Sequence, residues 1–251
     1  MTKTAHFRFY EELNDFLPKA RKKSTFFYEF SGSPAVKYAI EANGVPHTEI
    51  DLILVGGKSV AFAYRLKDGD RVAVYPVFES LDITPVTHLR PEPLREPKFI
   101  LDVHLGKLAH YLRMFGFDSN YDNRYEDAVL AASAKKESRI ILTRDVNLLK
   151  CKSITHGYRV RSQKPETQLV AVLKRFDLKN LIRPLSRCIV CNGDISKVSK
   201  KSISHRLKPK TREYYEEFYW CDSCRNIYWK GSHYQKMERF INRITNNCGK
   251  T

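Results

Sequence analysis

Cys188 and Cys191, followed by Cys221 and Cys224, form two Cys-x-x-Cys knuckles with 29 residues between them. Each knuckle supplies two adjacent corners of a tetrahedron, so four thiolates so spaced can close around one Zn2+. Asn192-Gly193 and Arg225-Asn226 stand behind the second sulfur of each knuckle, where a tight turn is needed. Two disulfides or four inert buried cysteines are the competing readings. Four sulfurs leave no open coordination position, so this zinc is expected to hold a fold rather than to catalyse.

A second chemistry is carried by carboxylates. Asp102 and Asp145 each close a strand-like run, Phe99-Ile100-Leu101 and Arg139-Ile140-Ile141-Leu142-Thr143. Asp127 opens the helix expected between them, and Asp122 lies on the loop before it. In open α/β sheets ligands collect beyond the carboxyl ends of the strands. Hard oxygen ligands gathered there suit Mg2+ or Mn2+, which can polarise a phosphodiester and lower the pKa of an attacking water. The plainer reading makes Asp127 a dipole-favoured helix start and Asp102 and Asp145 strand-end caps. Lys107, Arg113 and Arg144 stand near these acids in sequence and are candidates for phosphate contact. A solvated helix face is the alternative for Lys107 and Arg113.

The elements that must position these groups fall into three segments. Residues 1–83 read as two strands (His6–Tyr10 and Thr25–Phe30, joined by a basic turn), a helix through residues 34–42 capped by Ser33, and further strands at Leu52–Val55 and Arg71–Pro76. Asn43-Gly44 ends the helix and Gly56-Gly57 supplies a turn. That order is a β-grasp fold, and VGGKSV with LKDGDRVAVYPV resembles the ubiquitin-like sulfur carriers. Those carriers end in a free Gly-Gly carboxylate. Here the last strand continues into Val77-Phe78-Glu79-Ser80, which argues against sulfur transfer and for a docking or regulatory module whose partner is unknown. Residues 84–97, TPVTHLRPEPLREP, carry four prolines and are expected to form an extended, semi-stiff linker.

Residues 98–184 alternate strand and helix signals, which predicts a parallel α/β sheet. Residues 185–251 are the zinc ribbon and a short basic tail. The fold class expected is therefore a mixed α/β and α+β multidomain chain.

Charge is segregated along the chain. Residues 1–96 hold 13 basic and 13 acidic residues, and residues 97–251 hold 31 and 15, so the whole excess of +16 lies in the second part. Such segregation favours a polyanion partner, nucleic acid first. Lys208, Lys210 and Arg212 between the knuckles, with Trp229, Lys230 and His233 after them, interleave cations and rings as single-stranded nucleic acid requires. Trp229 packing into the ribbon's small core is the alternative. No apolar run approaches a membrane span, no signal peptide is recognisable, and Cys151 and Cys248 look unpaired; a cytoplasmic protein is expected.

DVHLGKLAHYLRMFGFD, YEDAVLA, RIILTRDVNLL and RCIVCN…WCDSCRNIYWKGSHYQKM resemble the Mut-seven carboxy-terminal RNase domain family. The resemblance covers nearly the whole chain. It implies a PIN-like nuclease with a C-terminal zinc ribbon behind a ubiquitin-like domain, and a metal-dependent RNase with Asp102, Asp127 and Asp145 as its acids. RNA is the partner it implies, with transfer and ribosomal RNA as candidates; composition alone does not separate RNA from DNA. Where PIN nucleases often carry a fourth acid, this chain has Asn147, which lowers the charge of the site. The alternative function is a non-catalytic RNA-binding adaptor.

Overall fold

The computed structural model describes residues 2–76, 89 and 97–248. The continuation after Pro76 and the proline-rich linker, apart from Leu89 and Pro97, lie outside the described residues. The chain divides into two compact units: Met1–Glu96 with Asp145–Arg159, and Pro97–Arg144 with Val160–Thr251.

The first unit contains β1 (Lys3–Phe9), β2 (Phe26–Phe30), α1 (Val36–Ala42), β3 (Ile50–Val55), β4 (Lys58–Ser59) and β5 (Arg71–Pro76). The sheet order is β2-β1-β5-β3-β4, with β1 antiparallel to β2 and parallel to β5. This is the expected β-grasp. Alternation along β1 buries Ala5, Phe7 and Phe9, and α1 brings Val36, Ala39 and Ile40 into the same core. Gly56 and Gly57 have φ of +56° and +82° and close the β3–β4 hairpin as a two-residue turn, for which both positions need left-handed backbone.

Two local expectations are corrected. Ser33 does not cap α1: the cap residue is Ala35, without a side-chain bond, and the Ser33 hydroxyl donates to the Leu66 carbonyl at 2.9 Å. The β1–β2 connection is more than a basic turn. It folds into 3-10 turns at Glu11–Phe16 and Lys19–Arg21 and buries Leu13 and Leu17.

The central α/β part runs β6 (Phe99–Leu101), α2 (Gly106–Met114), β7 (Ser119–Asn120), α3 (Asp127–Glu137) and β8 (Ile140–Thr143). Next come α4 (Val146–Leu149) and β9 (Gly157–Arg159), both in the segment assigned to the first unit, and then α5 (Pro165–Arg175). Within the second unit the strand order is β7-β6-β8, and β6 is parallel to both β7 and β8. Every residue of β6 and β8 is buried, which is why both read as continuous apolar runs.

Within the first unit, the Asp145–Arg159 segment is tied to the β-grasp sheet by specific bonds. His47 bridges, its Nδ1 2.7 Å from Glu41 and its Nε2 2.8 Å from the Ile154 carbonyl. The Arg159 amide donates to Glu49, and the Arg159 guanidinium lies 5.4 Å from the Phe16 ring centre.

The C-terminal part contains β10 (Ile195–Val198), α6 (Lys200–Ile203), α7 (Pro209–Tyr214), β11 (Phe218–Cys221), β12 (Ile227–Trp229) and α8 (Ser232–Cys248). β10, β11 and β12 form an antiparallel sheet. The expected basic tail is thus a 17-residue helix. Ile241 and Ile244 are buried on its inner face, and the Phe240 ring packs at a tilt against Tyr111 of α2 with centroids 4.8 Å apart. Among the described residues no helix is long and apolar enough to cross a membrane.

Candidate functional site

The two knuckles fold identically. In the first, the Cys188 amide donates to the Gly193 carbonyl and the Asn192 amide to the Cys188 carbonyl, at 2.8 and 2.9 Å. In the second, the Cys221 amide donates to the Asn226 carbonyl and the Arg225 amide to the Cys221 carbonyl, both at 2.9 Å. Asn192 and Arg225 take the left-handed turn position at φ of +69° and +60°. A side chain at Gly193 would press within 2.5 Å of Ser223 and 2.9 Å of the Cys221 sulfur, so the knuckles approach each other too closely for any other residue there.

This folding aims the four sulfurs at one point, all within 4.8 Å of one another. The Cys188–Cys224 and Cys191–Cys221 separations are 3.6 and 3.3 Å. Four sulfurs about 2.3 Å from one zinc lie about 3.8 Å apart, so the cluster fits a tetrahedral Zn2+. Burial pushes the Cys188 thiol up, but the Tyr228 hydroxyl at 3.0 Å and the Cys191 amide outweigh it and bring the thiol down to about 7. Burial pushes the Cys191 thiol up to about 12 and raises Cys224 as well, so a bound metal would have to displace protons from those two.

The first knuckle is bolted to the parallel sheet. Asn192 donates from Nδ2 to Asp118 at 2.7 Å and accepts the Ser119 amide at 2.8 Å. Asp118 also takes the Arg139 guanidinium at 2.7 Å. Burial raises the Asp118 carboxyl, and its bonds to Arg139 and Asn192 more than reverse this, holding it below its ordinary value. From the other side Arg113 reaches across. It is 6% exposed and donates to the carbonyls of Ser119 at 2.8 Å, Ile189 at 3.3 Å and Val190 at 2.9 Å. Arg113 therefore does not face a phosphate; its helix position turns it inward, where carbonyls consume its donors.

Among the carboxylates, Asp102 follows β6 directly and is 6% exposed. Its Oδ1 accepts the His104 amide at 2.8 Å, and its Oδ2 accepts the Thr143 hydroxyl and the Arg144 amide. One side chain thus caps the turn into α2 and ties it to the end of β8. Asp122 is engaged by Arg124, whose side chain and amide hold its carboxyl at about 2. Asp127 is the first residue of α3 and exposed. Asp145 belongs to the first compact unit, caps α4 and accepts the Asn147 amide at 2.7 Å. Among the described residues the four cysteines are the group of three or more potential ligands gathered within 4.8 Å; Asp102, Asp122 and Asp127 do not make another.

The remaining expected contact residues, Lys107, Arg144, Lys208, Lys210, Arg212, Lys230 and His233, are exposed. Trp229 is half-buried, with Tyr215 and Phe218 at 6.3 and 6.4 Å, as the packing alternative expects.

Residues 97–241 match the family described as Mut7-C RNAse domain, and residues 2–82 match Mut7-C ubiquitin. The chain belongs to the Mut7-C RNAse domain family. No curated protein and no solved structure matches it.

In this Mut7-C chain the residues that sequence reasoning passed over are partners of those it found: Thr143 behind Asp102, Asp118 behind Asn192, and Tyr228 beside Cys188. Their types carry no signal by themselves. The cations of α8 had a signal, since Met237, Ile241 and Ile244 recur at helical spacing.

Proposed function

We propose that this Mut7-C chain is a metal-dependent ribonuclease that cuts RNA internally. Asp102 carries the reading: a buried carboxylate at the end of a central parallel strand, in a domain of an RNase family. An ionised carboxylate offers about four acceptor sites. The His104 amide takes one at Oδ1, and the Thr143 hydroxyl and Arg144 amide take two at Oδ2, so Oδ1 retains capacity for a cation. The acids assigned to Mg2+ or Mn2+ are Asp102, Asp127 and Asp145, with Asn147 a neutral oxygen two residues after Asp145 in sequence. The bound ion would supply electrostatic stabilisation of the phosphodiester and a more acidic water. The protein's own part is to hold Asp102 rigidly through Thr143 and the Arg144 amide, and to bring RNA in through the exposed cations of the second unit. The zinc is structural, and the β-grasp domain serves docking or regulation through its ties to the segment that begins at Asp145.

The test is incubation of labelled single-stranded RNA with the whole protein in Mn2+, in Mg2+ and without either. Internal cuts that need the divalent ion support the nuclease. Tight binding with no cut in either metal would replace it with a non-catalytic RNA-binding adaptor.

A further inference from the structure

Helix α8 carries cations that the zinc ribbon and the acids do not use. Lys236, Arg239 and Arg243, with Phe240, line an open pocket of about 390 Å3. At 3.6 residues per turn these three cations fall within about 60° of one another around the helix, while Glu238 points to the opposite side. At 1.5 Å per residue they climb in steps of about 4.5 and 6 Å, comparable with the step between successive phosphates of a strand.

The pocket is organised. Glu166 of α5 grips the Arg243 guanidinium with both carboxylate oxygens, at 2.8 and 3.1 Å. Arg243 also sits 5.2 Å from the centre of the Phe240 ring, which is itself fixed against Tyr111 and Phe115. Arg239 makes one long bond, at 3.3 Å, to the Gln235 carbonyl and is exposed, as is Lys236. Lys107, five residues after Asp102, is close enough to Glu166 to help lower its carboxyl. Glu166 is thus one acid among four cations. The apolar side of α8 is spent on the core through Ile241 and Ile244, so the helix has no free apolar face to lay on a membrane.

We propose that this face of α8 is a phosphate track for single-stranded RNA, with Lys236 and Arg239 as the open contacts, Arg243 as the pre-oriented one and Phe240 as the apolar floor between them. The track begins just beyond the ribbon's Trp229, Lys230 and His233 and leads to the helix that follows Asp102. The proposal rests on the RNA reading above and adds to it the surface that carries the strand.

The experiment is fluorescence anisotropy of a labelled oligouridylate on the zinc-loaded protein, without Mg2+ or Mn2+, across a salt series. The K236E/R239E variant is expected to bind at least about tenfold more weakly at 0.1 M salt. The slope of log K against log salt should shrink by about 1.4, at about 0.7 per lost phosphate contact on a single strand. The E166Q variant tests the same face in the opposite direction, because it releases Arg243 from its counter-charge, and should bind more tightly. If wild type binds and both variants match it in affinity and slope, the track is overturned while the RNA reading stands. If wild type binds no RNA, both fall. If polyglutamate competes as well as oligouridylate at equal charge, the face is a general acidic-partner surface and the track is overturned.

Discussion

The Asn192 side-chain amide donates to the Asp118 carboxylate at 2.7 Å, joining the left-handed corner of a cysteine knuckle to the residue just before β7 of the parallel sheet. The cysteine knuckles are therefore part of the same compact unit as the parallel strands rather than an appendage on it. Asn192→Ala should remove this bond and the one to the Ser119 amide, and force a Cβ residue without local hydrogen bonding into φ of +69°. A loss of about 2–3 kcal/mol is expected in chemical denaturation. Asn192→Gly relieves the backbone and should lose less.

Asp118 gives the stability a signature in acid. Its folded pKa lies below its ordinary value, so its contribution is complete above the unfolded carboxylate value of about 3.9 and is lost as pH falls through the folded value. Unfolding curves measured downward from pH 5 should show wild type losing stability over that range, and Asp118→Asn losing less because the titrating group is gone.

Arg113 separates a structural cation from a phosphate-binding one. Its three carbonyl partners predict that Arg113→Met costs about 3 kcal/mol, since it leaves buried acceptors unpaired. The salt slope of RNA binding should stay at the wild-type value. A slope reduced by about 0.7 with unchanged stability would mean that the guanidinium meets a phosphate after all.

The sequence made plain what rests on spacing and missed what rests on partnership. Two glycines closing a hairpin, apolar runs in β6 and β8, and paired Cys-x-x-Cys knuckles each have a pattern that only one local geometry satisfies. Arg113 was misread because a cation on an amphipathic helix is usually solvated. Nothing local announces that its donors meet carbonyls 76 and 77 residues away. Ser33 failed as a cap because the helix begins at Val36, which puts the cap position at Ala35; its hydroxyl instead donates to the Leu66 carbonyl from another part of the chain.

The ties between the β-grasp sheet and the segment after Asp145 predict a local effect. His47→Ala removes the bridge from Glu41 to the Ile154 carbonyl. Hydrogen exchange should quicken through residues 145–159 by about tenfold, corresponding to about 1.4 kcal/mol, while β6 and β8 keep their protection. Uniform quickening across both units would refute a local tie.

Asp102→Asn is a poor probe of catalysis, because an amide cannot accept from the His104 amide on one side while also satisfying Thr143 and Arg144 on the other. Asp145 is exposed and caps a short helix, a role that asparagine also fills, so its substitution by Asn confuses folding with chemistry far less. The most direct measurement is therefore the rate of RNA cleavage by Asp145→Asn against wild type in Mn2+, with RNA affinity and unfolding midpoint recorded for both. The nuclease account predicts cleavage reduced at least about a hundredfold with affinity and midpoint unchanged. Cleavage at the wild-type rate would contradict it.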